Sequence, residues 1–152
     1  MKVCHNIFDK IISLENLFSA WQNFKSNKTR RKEIKEFEFH LEDNLFKLFN
    51  DLKTGKYHHG PYSSFYINDP KLRLIHKANI RDRIVHQAVY QILNPVFESI
   101  FIPDSYSSRK TKGSHKAVYK LRKYLLGTSR NNTNNCWIVK CDIKKFFDSV
   151  DH

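Results

Sequence analysis

The sequence predicts an α+β fold with a helical N-terminal region, a small antiparallel hairpin with packed helices, and the first strand of a further sheet. Three observations predict this class. Apolar residues recur at spacings of three and four over most of the chain, which is the period of an amphipathic helix. The period changes where two β-prone runs flank Asn68-Asp69-Pro70-Lys71. The continuous apolar run at 136–141 is typical of a buried strand.

Residues 1–60 are expected to form a helical N-terminal region. An apolar stripe from Ile7 to Trp21 predicts a first helix, and a basic, polar break at 25–32 follows it. A second stripe, from Ile34 to Leu52, predicts a second helix. This helix is expected to end near Gly55, because glycine readily adopts the left-handed conformation that terminates helices.

Residues 61–135 are expected to hold the hairpin and two more helices. The runs 62–67 and 72–76 predict its strands. A third helix is predicted around the apolar positions 84–93, and Pro95 is expected to end or kink it, because proline lacks the backbone N–H. A fourth helix is predicted over 114–127.

The fourth helix is expected to start at Ser114, which is a good N-cap residue, and to end at Gly127. A polar loop follows, and residues 136–152 come next as a separate region. The buried strand predicted at 136–141 would carry Cys136 and Cys141 as buried free thiols. No capping signal follows this strand, so the chain is expected to be a piece of a longer protein.

The composition favours a globular, nucleic-acid-binding protein. The 152 residues carry 27 Lys+Arg against 15 Asp+Glu, a formal charge of +12, and are 40% hydrophobic, which argues against a disordered tail. No apolar run approaches the roughly 18 residues of a membrane span, and no signal peptide is evident. A cytoplasmic protein without a membrane partner is therefore expected. The positive surplus predicts a nucleic-acid partner, and a merely solvated basic surface is the alternative.

Asp142 is the leading candidate for a catalytic residue. It follows the predicted strand 136–141, and functional groups of open sheets commonly lie at such strand ends. A carboxylate there is costly to bury unless a cation meets it, and a divalent metal is an effective partner. The alternative is that Asp142 only caps the following turn. The spacing does not decide between these two roles.

Basic residues are concentrated in two segments. Residues 105–123 contain seven Lys or Arg and no acidic residue. Four more basic residues surround the hairpin and the start of the third helix: Arg73, Lys77, Arg81 and Arg83. Such charges, combined with aromatic rings, suit phosphate contacts and base stacking. The alternatives are a solvated face for 105–123 and, for Arg83, a structural ion pair with Asp82 or a neighbouring carboxylate.

Four blocks follow one another along the chain, at 69–87, 93–97, 104–117 and 140–152. In this order they resemble bacterial reverse transcriptases of the group II intron, retron and diversity-generating types. Residues 69–77 and 80–87 resemble the fingers of these enzymes, and 93–97 resembles their "L-x-P-x-F" helix end. Residues 104–117 are similar to their "SYxxRxxxGxHxA" block, and 140–152 to their first palm motif. The resemblance implies reverse-transcriptase fingers followed by the first strand of a palm sheet.

The resemblance also implies roles for individual residues. Asp142 matches the first metal-binding aspartate of the palm, and the backbone carbonyl of Ile143 matches a contact to the second metal. The implied cofactor is Mg²⁺, with Mn²⁺ as an alternative. Positions that bind the incoming nucleotide are matched by Arg73, Arg81, Lys77 and Phe147. Positions in the template–primer channel are matched by Arg109, Lys110, Lys112 and Lys116.

The implied activity is transfer of nucleotides from dNTPs to a primer 3′-hydroxyl, with RNA as template and DNA or RNA as primer. An accessory protein of a retroelement is a further expected partner. Ser107-Ser108 and Lys110 depart from the group II intron pattern and favour a diversity-generating or unclassified lineage. The family's Tyr-x-Asp-Asp motif is absent, so this chain alone is expected to be inactive. The alternatives are a non-catalytic RNA- or DNA-binding module and a degenerate remnant that folds poorly.

Overall fold

The computed structural model describes residues 5–144, 146 and 149–150. Six helices and two strands form among them, which confirms the α+β class. In chain order they are α1 Ile7–Ile12, α2 Leu14–Lys25, α3 Lys32–Phe39, α4 Leu41–Lys53, β1 Ser63–Asn68, β2 Leu72–Lys77, α5 Ile80–Glu98 and α6 Ser114–Thr128. The chain divides into two compact units, one extending to Ile100 and the other beginning at Phe101. No helix among the described residues has the length and apolarity needed to cross a membrane.

The first unit is built on a core that α2, α4 and α5 share. Each of these helices buries two or more apolar side chains completely, and α3 adds one more. The fully buried members are Leu17, Ala20, Trp21, Ile34, Leu45, Leu48, Ile84 and Ala88. Removal of these side chains from water is the main force that holds the helices together. Most of them belong to the stripes that predict the helices, so the burial confirms the helical period.

Both of the predicted N-terminal helices are divided in two. Ser13 lies between α1 and α2 with a ψ of 142°, and its Oγ accepts a hydrogen bond of 3.2 Å from the backbone N–H of Asn16. Serine therefore caps α2 instead of continuing α1. His40 separates α3 from α4. The end of the second predicted helix is confirmed, because α4 stops at Lys53 and Gly55 has a φ of 70°.

Strands β1 and β2 form the predicted antiparallel hairpin. Their register pairs Phe65 with Ile75 and Tyr66 with Leu74. Large apolar side chains remain exposed on both faces, Phe65 on one and Tyr66 with Leu74 on the other. A hairpin exposed in this way contributes little stability of its own, so its position depends on how the first unit holds its base.

Helix α5 is longer at both ends than its apolar stripe. It begins at Ile80 because the side-chain oxygen of Asn79 accepts a hydrogen bond of 2.9 Å from the backbone N–H of Asp82. Pro95 lies inside the helix, which continues to Glu98, so proline does not end it. Proline removes one helical hydrogen bond, and the packing of α5 on α1 and α2 outweighs that loss.

Helix α6 lies where it is predicted in the second unit. Its N-cap is Gly113, with a φ of 115° and no side-chain hydrogen bond, so Ser114 is the first helical residue and not the cap. No residue of α6 is buried. The helix therefore shows both of its sides to solvent within the described part of the second unit.

The strand predicted at 136–141 is not formed. These residues have neither helical nor strand structure, and Trp137 is 91% exposed. A strand needs a neighbour for its backbone hydrogen bonds, and the described residues of the second unit contain no other strand. Cys136 is half-buried and Cys141 exposed, so the prediction of two buried thiols is also wrong.

Candidate functional site

A basic cleft opens in the first unit between α3, the end of β2 and the start of α5. It encloses about 610 Å³. Its lining includes three cationic side chains, Lys77, Arg81 and Arg83. The structure thus brings together two of the predicted nucleotide-binding residues and adds Arg83, to which the resemblance gives no role. We call this cavity, defined by its three cations, the basic cleft.

Every cation of the basic cleft is paired with a carboxylate. Glu33 Oε2 lies 2.7 Å from Lys77 Nζ and 3.3 Å from Arg83 Nη2. Arg81 Nη2 lies 2.6 Å from Asp51 Oδ2. Arg83 therefore forms the structural ion pair that was one of its two predicted roles, with Glu33 as the neighbouring carboxylate. The hydrogen bond from Lys77, aided by the nearby Arg83 charge, lowers the pKa of Glu33.

The lowered pKa of Glu33 predicts an acid-sensitive contribution to stability. A carboxyl group whose pKa is lower in the folded than in the unfolded state stabilises the fold above its unfolded pKa. That contribution is lost as the pH falls through the folded pKa. We expect the free energy of unfolding of the wild type to decrease more than that of Glu33→Gln between about pH 6 and pH 3. Urea denaturation at several pH values measures this difference.

Glu36 provides the control for this experiment on the same helix. Its carboxylate is exposed and lies 3.7 Å from Nζ of Lys32, which is still more exposed. Such a surface pair contributes little, so Glu36→Gln should follow the wild-type pH dependence. Equal pH dependence in the wild type and in Glu33→Gln would show that Glu33 is not the source of this acid sensitivity.

The other two predicted nucleotide-binding residues lie elsewhere. Arg73 is exposed on β2, opposite Ile67, and does not line the basic cleft. Phe147 lies outside the described residues. The structure therefore groups Lys77 with Arg81 but does not place Arg73 with them.

Asp82 is a buried carboxylate whose role in the site is not predicted by any sequence pattern. Its side chain is fully buried, and it accepts hydrogen bonds from the Tyr57 hydroxyl at 2.8 Å and the Gly60 N–H at 2.9 Å. His59 Nδ1 lies 3.6 Å from the same carboxylate. Asp82 thereby holds the loop that precedes β1 against the start of α5.

Tyr57 links Asp82 to the basic cleft. Its ring lies 5.1 Å from the Arg81 guanidinium, a cation–π arrangement, while its hydroxyl binds Asp82. Burial, reinforced by the hydrogen bond to Asp82, raises the pKa of Tyr57. Tyr57 therefore stays protonated as a donor, and Asp82 supports the position of Arg81 through it.

Gly60 is required where this loop meets α5. A Cβ atom at Gly60 would lie 2.2 Å from Asn79 Nδ2 and 3.2 Å from Asp82 Oδ2. Asn79 could move away only by disturbing its cap on α5. We therefore expect Gly60→Ala to lower the free energy of unfolding by about 1–3 kcal/mol, as measured by urea denaturation.

Gly127 gives a matched control for the Gly60 substitution. It lies in α6, and a Cβ atom there would meet no atom within 4 Å. Because alanine has the higher helix propensity, Gly127→Ala should be neutral or stabilising by up to about 1 kcal/mol. If Gly60→Ala behaved like Gly127→Ala, the close approach of the loop to α5 would be unimportant.

In the second unit, Arg109 organises its own loop. Its Nη1 donates to the backbone carbonyls of Ile102 and Ser105, each at 3.1 Å, and the guanidinium lies 5.3 Å from the Phe101 ring. Lys110, in contrast, is exposed. Arg109, a predicted template–primer residue, therefore holds together the loop that precedes α6.

Two further predicted template–primer residues line a second cleft, of about 410 Å³. Lys112 binds the carbonyl of Pro103, and Lys116 Nζ lies 2.5 Å from the carbonyl of Thr111. Beside them lie Tyr106, Tyr119 and Lys120. The structure thus combines lysines with aromatic rings, as the basic segment predicts.

Asp142 and Ile143 are both exposed in the second unit. A carboxylate and a backbone carbonyl are oxygen donors of the kind that Mg²⁺ prefers, so the two residues fit part of a magnesium site. The described residues contain no cluster of three or more His, Cys, Asp or Glu that could hold a metal ion. Asp142 and Ile143 therefore supply only part of a ligand set.

Comparison with known proteins agrees with the resemblance. Residues 67–152 match the family "Reverse transcriptase (RNA-dependent DNA polymerase)". The group II intron-encoded protein LtrA of Lactococcus lactis subsp. cremoris is 29% identical over 141 residues, 89% of this chain and 22% of that protein. Protein YkfC of Escherichia coli (strain K12) is 32% identical over 107 residues, 69% of this chain and 28% of that protein.

A plant relative extends the comparison. Nuclear intron maturase 2, mitochondrial, of Arabidopsis thaliana is 25% identical over 124 residues, 71% of this chain and 16% of that protein. The chain spans less than a third of the length of each of these relatives. Two of the three are named for introns, so the comparisons do not favour the diversity-generating lineage over the intron-encoded one.

Proposed function

The chain belongs to the reverse transcriptase family, and we propose that it forms the N-terminal part of an RNA-directed DNA polymerase. The match over 67–152, more than half of the chain, carries this proposal. Residues 1–60 would be a helical lead-in, 61–135 the fingers and 136–152 the start of the palm. The reaction would add nucleotides from dNTPs to the 3′-hydroxyl of a primer paired with RNA.

Asp142 and the Ile143 carbonyl would hold Mg²⁺, or Mn²⁺ in its place, together with ligands from the rest of the palm. When bound, the metal would lower the charge of the reacting phosphate and favour ionisation of the primer hydroxyl. Both residues are exposed, so neither is enclosed in the core of the second unit. Phe147 would lie under the sugar of the incoming nucleotide, as the resemblance implies.

The basic residues would bind the two nucleic-acid substrates. Lys77 and Arg81, with Arg73, would neutralise the triphosphate and hold it in line for attack. For Lys77 and Arg81 this requires exchange of Glu33 and Asp51 for phosphate oxygens, since both cations are paired with these carboxylates. The template and primer would contact the segment that contains Arg109, Lys110, Lys112 and Lys116.

Primer extension tests the proposal. A protein that combines this chain with a Tyr-x-Asp-Asp palm should extend a primer on an RNA template with dNTPs, and the extension should require Mg²⁺. The 152-residue chain alone should bind RNA without extending the primer. Failure of the longer protein to extend any primer, while it still binds RNA, would contradict the polymerase assignment.

A non-catalytic nucleic-acid-binding module is the second candidate. The acid-free segment 105–123 favours it, because this basic surface does not depend on Asp142. Such a module would bind RNA with a salt-sensitive affinity that neither Mg²⁺ nor Asp142→Asn changes. Titration of RNA with and without Mg²⁺ distinguishes this candidate from a site where Asp142 holds a metal next to the RNA.

A further inference from the structure

Helix α6 has two chemically different faces. One face carries apolar residues at spacings of three and four, namely Ala117, Val118, Leu121 and Leu125. The opposite face carries Lys116, Tyr119, Lys120 and Lys123. The helix contains no acidic residue, so none of its lysines is neutralised by a carboxylate one turn away.

Tyr119 lies at the centre of the basic face. Its side chain is 73% exposed, and it lines both the cleft of about 410 Å³ and an adjoining one of about 280 Å³. The basic residues of the first cleft are Lys112, Lys116 and Lys120, and those of the second are Arg122 and Lys123. An exposed aromatic ring thus has cationic side chains on both sides. We call this surface, formed by Tyr119 and these five cations, the Tyr119 face.

One carboxylate lies near the Tyr119 face. Asp104 accepts hydrogen bonds from the hydroxyls of Tyr124 at 2.7 Å and Tyr106 at 3.1 Å. The Tyr124 hydrogen bond lowers the pKa of Asp104, with smaller contributions from the nearby Lys120 and Lys112 charges. Asp104 offsets one of the five cations, so positive charge remains in excess among the described residues of the Tyr119 face.

We propose that the Tyr119 face binds an unpaired stretch of nucleic acid, with one base stacked on the Tyr119 ring and the adjacent phosphates on the flanking cations. Stacking on an aromatic ring requires a base whose own face is free, which a single strand offers and a duplex does not. Lysines hold backbone phosphates without regard to sequence. This surface extends the proposed template–primer contacts to Tyr119, Lys120, Arg122 and Lys123, and it does not depend on catalysis.

A solvated lysine face is the alternative explanation, and it predicts a different role for Tyr119. If the lysines served only solubility, the ring between them would contribute nothing to nucleic-acid affinity. If the ring stacks on a base, its removal should weaken binding at any salt concentration. Substitution of Tyr119 therefore distinguishes the two explanations.

The experiment measures binding of the 152-residue chain to a fluorescein-labelled 12-nucleotide oligo(U) RNA by anisotropy, without Mg²⁺. We expect Tyr119→Ala to raise the Kd by about 5- to 150-fold, the range measured for loss of one base–aromatic stack. Tyr119→Phe keeps the ring and should bind within about twofold of the wild type. Tyr90→Ala, which removes a partly exposed tyrosine from α5, is the matched control and should leave the Kd unchanged.

Two further arms test the phosphate contacts and the preference for single strands. Lys123→Gln should lower the slope of log Kd against log salt by about 0.7, the value for one phosphate contact to a single strand. A duplex of the same length should bind with no dependence on Tyr119. Circular dichroism verifies that each variant keeps its helices, which is expected because Tyr119 is an exposed helical position.

Wild-type affinity of Tyr119→Ala for the single strand would overturn the inference. Equal weakening by Tyr119→Phe and Tyr119→Ala would also overturn it, because the hydroxyl and not the ring would then be responsible. This assay contains neither Mg²⁺ nor dNTPs, so its result does not depend on primer extension by the longer protein. Failure of the polymerase assignment and failure of this inference therefore give different results.

Discussion

Asp142→Ala is expected to lower the rate of RNA-templated primer extension about a thousandfold in a polymerase that carries this chain, which corresponds to ~4 kcal/mol of transition-state stabilisation. The reason is that a hard divalent cation would lose a carboxylate ligand that cannot be replaced by the alanine methyl group. The measurement is single-nucleotide incorporation at saturating dNTP, so that the rate of the reaction is compared and not the affinity.

An exposed aspartate elsewhere supplies the control for Asp142. Asp9 lies on α1, and its exposed carboxylate has no proposed role in the reaction. Asp9→Ala should therefore incorporate nucleotides at the wild-type rate. A rate for Asp142→Ala within tenfold of the wild type would contradict the proposed catalytic role of Asp142.

Trp21→Ala is expected to destabilise the protein by about 3–5 kcal/mol, the typical cost of deleting a large buried aromatic side chain. Trp21 is fully buried in the core of the first unit, and its ring centroid lies 5.0 Å from that of Phe37 and 6.1 Å from that of Phe24. Domains of this size have a total stability of about 5–15 kcal/mol, so the variant should lose at least about a fifth of its stability. Urea denaturation followed by circular dichroism measures the loss.

Trp21→Phe separates the loss of packing from the loss of the indole N–H. Among the described residues, Trp21 Nε1 has no hydrogen-bond partner. Phenylalanine keeps a ring in the core and removes this buried, unsatisfied donor. We expect a cost below about 1.5 kcal/mol. A cost equal to that of Trp21→Ala would show that the indole itself, and not the filled volume, is required.

The helices could be predicted because their apolar stripes are local patterns of the sequence. The stripe from Ile7 to Trp21 continues through Ser13, so its period does not show that the chain leaves the helix there. The second stripe likewise continues through His40, where α3 ends and α4 begins. At Pro95 the local pattern allows a helix end or a kink, and α5 continues past it to Glu98, so of the two the end is not observed. Local patterns thus identify the helices better than they identify their ends.

The candidate site could be predicted only in part, since it depends on contacts between distant residues. The cations Lys77, Arg81 and Arg83 are visible as a basic cluster in the sequence. Their carboxylate partners are not, because Glu33 lies 44 positions before Lys77. The buried role of Asp82 is hidden by its two arginine neighbours, which suggest an ion pair instead of a bond to Tyr57.

The prediction of a strand at 136–141 was wrong for a related reason. Its apolar composition describes what the segment requires, namely burial and a hydrogen-bonded neighbour. Whether a neighbour is present depends on residues elsewhere in the protein, which a local pattern does not contain. Whether Asp142 binds a metal ion also depends on residues outside the local pattern. The remaining ligands of the metal would come from other parts of a palm.

The shared core of the first unit does not begin where the family match begins. The family match begins at residue 67, yet Ile84 and Ala88 of α5 are buried by the helices that precede it. A shorter protein that began at the family boundary would leave this side of α5 in water. The part of the family match that lies in the first unit therefore requires the preceding helices as partners in folding.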